Sequence, residues 1–274
     1  MSISFDVTPE DISIRMPDFE SDFMNILADC SKVITLEGFN SNLTLQVKDD
    51  GSPVTDYDIN SEKILREIIS AKFPNHNIFA EEMGFTSNNS DYTWIIDPID
   101  GTRSYVIGRP LWGTLISLAF KGEPIIGMAD FPALDERWIG YKNKCLLNNA
   151  AFKKNYKSIT NISEATVGST GPHLFSEIGK QKYETLIKKS KYHVWSGDCH
   201  NYCLVIKGGL DLIVEEGLSS YDILPLIPIL KSKDIIVTDW KSKKINLKND
   251  LFSKYSVIVA RDKNIYETAI NYMN

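Results

Sequence analysis

The chain has 274 residues, 43% hydrophobic and 24% charged, with a net charge of −6. That balance is ordinary for a globular protein, and the length suffices for one large domain or two modest ones. No basic run marks a nucleic-acid surface, and no apolar stretch approaches the ~20 residues of a membrane span, so neither partner is expected.

In chain order, residues 1–17 show no clear period and read as an arm, with neither the basic nor the apolar segment of a signal peptide. Cytoplasmic location is therefore expected, with Cys30, Cys145, Cys199 and Cys203 as reduced thiols. Over 18–38, Phe19, Phe23, Ile26, Leu27, Cys30, Val33 and Ile34 recur at three and four, one face of a helix that Gly38 stops. Residues 46–53 read as a turn-rich connection. A second helix is predicted over 58–73, striped by Ile64, Leu65, Ile68, Ile69 and Phe73, with Thr55 and Asp58 before it as N-caps.

A short strand at 77–80 ends in Glu81-Glu82, and another at 94–96 is expected to stop at Pro98, which cannot donate to a ladder. Apolar runs at 112–120 and 124–131 flank Lys121-Gly122-Glu123 as a hairpin, and 137–141 adds a third strand. Residues 143–162 are rich in Lys and Asn. They mark a change from an α+β subdomain over 1–150, carrying the metal site, to an α/β subdomain over 151–274. Beyond them, strands at 165–168, 193–195, 211–214, 235–238 and 256–259 alternate with helices at 174–190, 199–207, 223–230 and after Asp262. Alternation of this kind is α/β.

The chemistry concentrates at Asp97-Pro98-Ile99-Asp100-Gly101-Thr102, after the apolar run Trp94-Ile95-Ile96. Two carboxylates three residues apart on a tight turn converge on one point. They repel unless a proton or cation lies between them, and a hard divalent cation such as Mg²⁺ suits oxygen ligands. Gly101 admits close backbone approach, and amides at a helix start can face an anion. Cys199-His200-x-x-Cys203 has no second cysteine pair, which is too little for a zinc site. No Cys is followed six residues later by Arg, there is no P-loop, and Asp56-Tyr57-Asp58 follows a Gly-Ser-Pro turn rather than an apolar strand. Thiolate, P-loop and aspartyl-phosphate chemistries are thereby disfavoured.

The run Asp97 to Thr102 resembles the signature of the inositol monophosphatase family of Mg²⁺-dependent phosphatases. Ala80-Glu81-Glu82 resembles that family's Gly-Glu-Glu, Val54-Thr55-Asp56-Tyr57-Asp58 its Val-Thr-x-x-Asp, and 217–228, with Tyr221-Asp222, its second signature around Trp-Asp. The resemblance spans about 19–260. It implies a layered αβαβα sugar-phosphatase fold, α/β overall, and commonly a homodimer. It further implies a first Mg²⁺ held by Glu81, Asp97 and the carbonyl of Ile99, and a second held by Asp97, Asp100 and Asp222. Thr102 and Glu81 would orient the attacking water, Asp58 would act from the metal's outer shell, and the amides of Gly101 and Thr102 would bind the phosphate. Read by itself, Asp222 is an N-cap before Ile223-Leu224-Pro225, and Asp58 is a cap as well.

Trp195-Ser196-Gly197-Asp198-Cys199-His200-Asn201-Tyr202 reads as the specificity region; its Gly197-Asp198-Cys199, with an aromatic two residues before the glycine, is similar to the family's histidinol-phosphatase branch, as are Gly108-Arg109-Pro110-Leu111 and Thr238-Asp239-Trp240. Histidinol phosphate is a small phosphorylated metabolite with an ammonium and a protonatable imidazole. Asp198 can pair with either, and Glu215 is a second candidate partner. Lys231-Ser232-Lys233-Asp234 stands where the family usually has a glycine pair. Inositol, sugar or nucleotide 3′-phosphate esters are the nearest rival substrates, and a non-catalytic metal-binding homologue is the reading from another class.

Overall fold

A computed structural model describes residues 19–41, 43, 45–48, 51, 53–153, 156 and 158–274. The predicted arm at 1–17 lies outside the described residues. The first helix, α1, spans Phe19–Phe39. Strands β1 (Leu45–Val47) and β2 (Pro53–Thr55) pair as an antiparallel ribbon where only turns were expected. Helix α2 covers Asp56–Lys72. Of the two expected N-caps only Thr55 is one: the helix starts two residues earlier than expected, and Asp58 lies inside it at the third helical position, where it completes a capping box.

The larger sheet has eight strands in the order β10-β9-β8-β7-β6-β5-β3-β4. They are β3 (Asn77–Ala80), β4 (Gly84–Thr86), β5 (Tyr92–Asp100), β6 (Gly113–Phe120), β7 (Glu123–Phe131), β8 (Glu136–Tyr141), β9 (Lys144–Leu147) and β10 (Ala150–Ala151). Only β3 and β5 run parallel. The β6–β7 turn places Lys121 at φ 49° and Gly122 at φ 81°, the two left-handed residues of a tight hairpin.

Strand β5 does not stop at Pro98. Its register against β6 shifts between Asp97 and Asp100, and this bulge absorbs the missing proline donor. The Pro98 carbonyl accepts from the Thr114 hydroxyl at 2.8 Å.

After a short helix, α3 (Thr102–Val106), and the first sheet, the chain builds a five-stranded sheet, β12-β11-β13-β15-β14. Its strands are β11 (Thr166–Ser169), β12 (Tyr192–Trp195), β13 (Leu212–Leu218), β14 (Ile236–Asp239) and β15 (Tyr255–Ala260). The helices are α4 (Glu177–Ile187), α5 (His200–Lys207), α6 (Ser220–Ile223), α7 (Leu226–Lys231) and α8 (Lys263–Met273). The helix expected over 223–230 is two: it begins at Ser220 and is broken around Pro225.

Side-chain parity sorts these elements into five layers. Trp94 and Ile96 of β5 face α1 and α2, packing with Phe23, Met24, Leu27, Leu65 and Ile69. Ile95, one residue out of phase, faces a central helix layer in which Ile206, Ile223, Ile227 and Leu230 meet Val257 and Val259 of the second sheet. The far face of that sheet buries Val167, Leu212 and Ile258 against Tyr183 and Leu186 of α4 and Ile265 and Ala269 of α8. The layered αβαβα expectation is therefore met. Gly127 and Gly140, paired across β7 and β8, let the central layer close. A Cβ at Gly127 would lie 1.9 Å from the Pro225 carbonyl oxygen, and one at Gly140 2.3 Å from the Ile229 Cα.

Candidate active site

The carboxyl ends of β3, β5, β11 and β12, and the segment after β13, meet at one cleft of about 220 Å³. Carboxyl ends of parallel strands are the usual ligand position in α/β sheets. Asp97, Ile99, Asp100, Gly101 and Thr102 come from the β5 end, Glu81 from β3, Thr170 from β11, Asp198 from β12 and Asp222 from α6.

Carboxylate oxygens of Asp97, Asp100 and Asp222 gather within 4.8 Å of one another. Burial, then the charge of Glu81, Asp100 and Asp222, pushes Asp97 well above the usual carboxylate range. Burial and the charges of Asp198 and Asp222 do the same to Asp100, despite its bond from the Cys199 amide at 2.8 Å. Asp222 is pushed up to about 7 by burial and by Glu81. Asp222 is not the N-cap of its helix: Ser219 is, and the Ser219 amide donates to Asp222 Oδ2 at 2.7 Å in a capping box. The local pattern Ser219-Ser220-Tyr221-Asp222 puts the acid at the third helical position, where it serves the cap and the cleft together.

Glu81 faces Asp97 closely enough to hydrogen-bond to it when Asp97 is protonated. One Glu81 oxygen accepts from Lys48 Nζ at 2.9 Å, and Glu82 accepts from the same ammonium at 2.7 Å. Burial alone would lower the Lys48 ammonium's affinity for its proton, but the two glutamates hold it above its ordinary range. The turn carrying them is fixed from below. Fully buried Glu62 accepts from the amides of Glu82 and Met83 at 2.7 and 2.9 Å, and from Arg66 Nε at 2.7 Å.

Asp58 is fully buried. Its Oδ2 accepts from the Thr55 amide and hydroxyl at 2.8 and 2.5 Å. Its Oδ1 lies 3.5 Å from the Thr102 hydroxyl, which donates to the Ile99 carbonyl at 3.0 Å. Capping and proximity to Thr102 thus belong to different oxygens of one side chain. Burial lifts Asp58 to about 6. Gly101, at φ 82°, precedes α3 in the left-handed region.

Asp198 sits in the cleft wall beside Asp100. Its Oδ2 accepts from Ser104 at 3.1 Å, and burial raises its pKa against the pull of Ser104, Arg109, Arg103 and His173. Three consecutive residues leading to it are left-handed: Ser196 at φ 70°, Gly197 at 109° and Asp198 at 43°. Such conformations cost non-glycine residues roughly 1–3 kcal/mol each. The loop is pinned by Ser196 N–H to the Thr170 carbonyl at 3.0 Å, Asn201 Nδ2 to the Ser196 carbonyl at 3.0 Å, and Arg109 to the Ser196 hydroxyl. A Cβ at Gly197 would meet Asn201 Oδ1 at 2.4 Å.

Glu215 is fully buried and sits behind Thr170 rather than on the cleft lining. It accepts from the Thr170 amide at 2.6 Å, the Thr170 hydroxyl at 2.9 Å and Ser169 at 3.3 Å, and burial pushes it up to about 7. Cys199 and Cys203 are buried free thiols, and no Cys/His metal cluster occurs among the described residues. Lys48, Glu62 and Thr170 belong to this region without having been singled out in the sequence, whereas Tyr202 closes the stretch 195–202 read as the specificity region.

The donor set fits Mg²⁺. Oxygens around an octahedral Mg²⁺ lie about 3–4 Å apart, so ligands already within 4.8 Å need move little. The buried acids repel one another, and the Lys48 ammonium between Glu81 and Glu82 shows the cluster drawing positive charge.

The model of the inositol monophosphatase family matches residues 23–274. The chain is 35% identical over 268 residues to the bifunctional phosphatase IMPL2, chloroplastic, of Arabidopsis thaliana, covering 96% of this chain and 77% of the relative. It is 32% identical over 221 residues to a histidinol-phosphatase of Chlorobaculum parvum, covering 80% and 85%. The structure of an inositol monophosphatase from Zymomonas mobilis superposes with a TM-score of 0.81 at 34% identity, over 93% of this chain and 98% of that one.

Proposed function

Because the chain belongs to the inositol monophosphatase family, and is thus a phosphatase, we propose that it converts L-histidinol phosphate and water to L-histidinol and phosphate with Mg²⁺. The observation that carries the substrate is Asp198, a carboxylate held in a strained loop on the cleft wall. A buried carboxylate there favours an ammonium or imidazolium and gives a neutral polyol little. Similarity to histidinol-phosphatases supports the same reading. Residues 1–150 would carry most of the metal ligands. Residues 151–274 would lend Asp198, Glu215 and Asp222. A cytoplasmic homodimer acting in histidine biosynthesis belongs to the same proposal.

In this reading Glu81, Asp97, the Ile99 carbonyl, Asp100 and Asp222 hold Mg²⁺. Bound Mg²⁺ supplies neutralisation of the phosphate charge and a water of lowered pKa. Thr102 and Glu81 would orient the attacking water. Asp58 Oδ1 backs the Thr102 hydroxyl, and the amides of Gly101 and Thr102 receive phosphate oxygens. Glu215 acts through Thr170, holding its amide and hydroxyl at the cleft edge.

Phosphate release with Mg²⁺ from L-histidinol phosphate, inositol 1-phosphate and adenosine 3′,5′-bisphosphate tests the substrate. The expected order puts L-histidinol phosphate first. Equal or better turnover of inositol phosphate would overturn the assignment, and release from none would favour a non-catalytic metal-binding protein. Asp198→Ala should lower kcat/KM for L-histidinol phosphate by about 10–100-fold, the worth of a charged hydrogen bond, and change a generic ester far less. Equal losses would refute the ammonium pairing.

Glu62→Gln tests the support beneath Glu81. The Mg²⁺ concentration for half-maximal rate should rise about 10–100-fold, as for other outer-shell losses. The rate at saturating Mg²⁺ should stay close to wild type. An unchanged Mg²⁺ requirement would show that the turn holds itself.

A further inference from the structure

Tyr202 lies on the first turns of α5, three residues after Cys199, and lines the cleft. Its ring is 3% exposed and packs in the central helix layer. Its hydroxyl is fully enclosed and has no hydrogen-bond partner among the described residues. The phenol feels the charges of Glu215, Asp100 and Asp222, and burial pushes its pKa well up, so it keeps its proton.

A buried hydroxyl without a partner costs about 1–3 kcal/mol. Phenylalanine would fill the same core volume without that cost. Tyr202 lines the cleft together with Asp100 and Asp222, proposed for the metal, and with Thr170, behind which Glu215 lies. A phosphate ester whose phosphate sat at Gly101 and Thr102 would share that cleft with Tyr202.

We propose that the Tyr202 hydroxyl is a specificity-determining contact for a polar N–H or O–H on the alcohol half of the ester. For an amino alcohol, the phenolic oxygen accepts from the ammonium. The ammonium part rests on the substrate proposed above; the contact with the alcohol half does not.

The test compares wild type and Tyr202→Phe on L-histidinol phosphate, inositol 1-phosphate and phenyl phosphate, whose leaving half has no N–H and, while esterified, no O–H. Inhibition by inorganic phosphate and the Tm are measured alongside. On the better polar ester, kcat/KM should fall about 10–100-fold, mainly through KM. On phenyl phosphate it should change less than about 3-fold, with phosphate inhibition unchanged and the Tm equal or higher, since a buried orphan hydroxyl is gone. Equal losses on all esters, a lowered Tm with uniform loss, or no loss on any ester would each overturn the role. If wild type prefers inositol 1-phosphate and Tyr202→Phe still separates it from phenyl phosphate, the histidinol assignment falls and the Tyr202 contact stands.

Discussion

Asp97→Asn should reduce Mg²⁺-dependent hydrolysis of every phosphate monoester by more than about 10³-fold, because loss of an outer-shell partner alone costs 10–100-fold. The same change should raise the Tm of the metal-free protein at pH 8.5. Asp97 is 2% exposed and lies against Glu81, Asp100 and Asp222. An isosteric amide removes one buried charge from that group and keeps the shape of the bulge between Asp97 and Asp100. For a chain of this size each 1 kcal/mol moves the Tm by about 2–4 °C. Phosphate release with Mg²⁺ and calorimetry in EDTA check the two halves together. Retained activity would remove Asp97 from the metal site. Activity and Tm falling together would mean that the carboxylate holds the fold rather than serving the reaction.

The second large effect is on stability against pH. Burial lifts Asp58 to about 6, and Glu82, Glu215 and Asp222 to about 7. In the unfolded chain such acids titrate near 4. The folded state therefore binds more protons through this window, and stability falls as pH rises. The contribution is complete below about pH 4 and is lost by about pH 7, at roughly 1.4 kcal/mol for each tenfold difference in proton affinity. Metal-free protein should accordingly melt several degrees lower at pH 8 than at pH 5.5. At the proposed site Mg²⁺ would bind the deprotonated cluster, so its stabilising effect should grow over the same range, adding about 2.7 kcal/mol at one hundred times its Kd. Melting in EDTA and in Mg²⁺ at both pH values decides this. A Mg²⁺ effect of equal size at pH 5.5 and pH 8 would separate the metal from these carboxylates.

Local pattern carried the fold where a single period ruled. The Phe23–Leu27 stripe, the helix over 58–73 and the Lys121-Gly122 hairpin were each written in a few residues. Pattern failed where tertiary pairing overrode it. Pro98 reads as a stop, yet β5 continues through it because a bulge needs no donor there. Residues 46–53 read as turns, yet Leu45–Val47 and Pro53–Thr55 pair. The strand β9 hides in a Lys- and Asn-rich stretch because Cys145 alone is buried in it.

The candidate site divides in the same way. Asp97 and Asp100 were legible as convergent from three-residue spacing on one turn. Asp222 lies more than a hundred residues beyond them, and only family resemblance pointed to it; Glu81 was marked as half of an acid pair directly after an apolar strand, and the resemblance chose it over Glu82. The places of Glu215 behind Thr170 and of the Tyr202 hydroxyl depend on how two sheets and a helix layer close. No local spacing encodes either one.

The most direct measurement is an anomalous difference map from crystals grown with Mn²⁺, standing in for Mg²⁺, and phosphate. Cation peaks should lie among the carboxylates of Asp97, Asp100 and Asp222, with Glu81 turned from Lys48 to the ion and phosphate against the amides of Gly101 and Thr102. A cation bound elsewhere, or a phosphate remote from those amides with the three aspartates unligated, would contradict it.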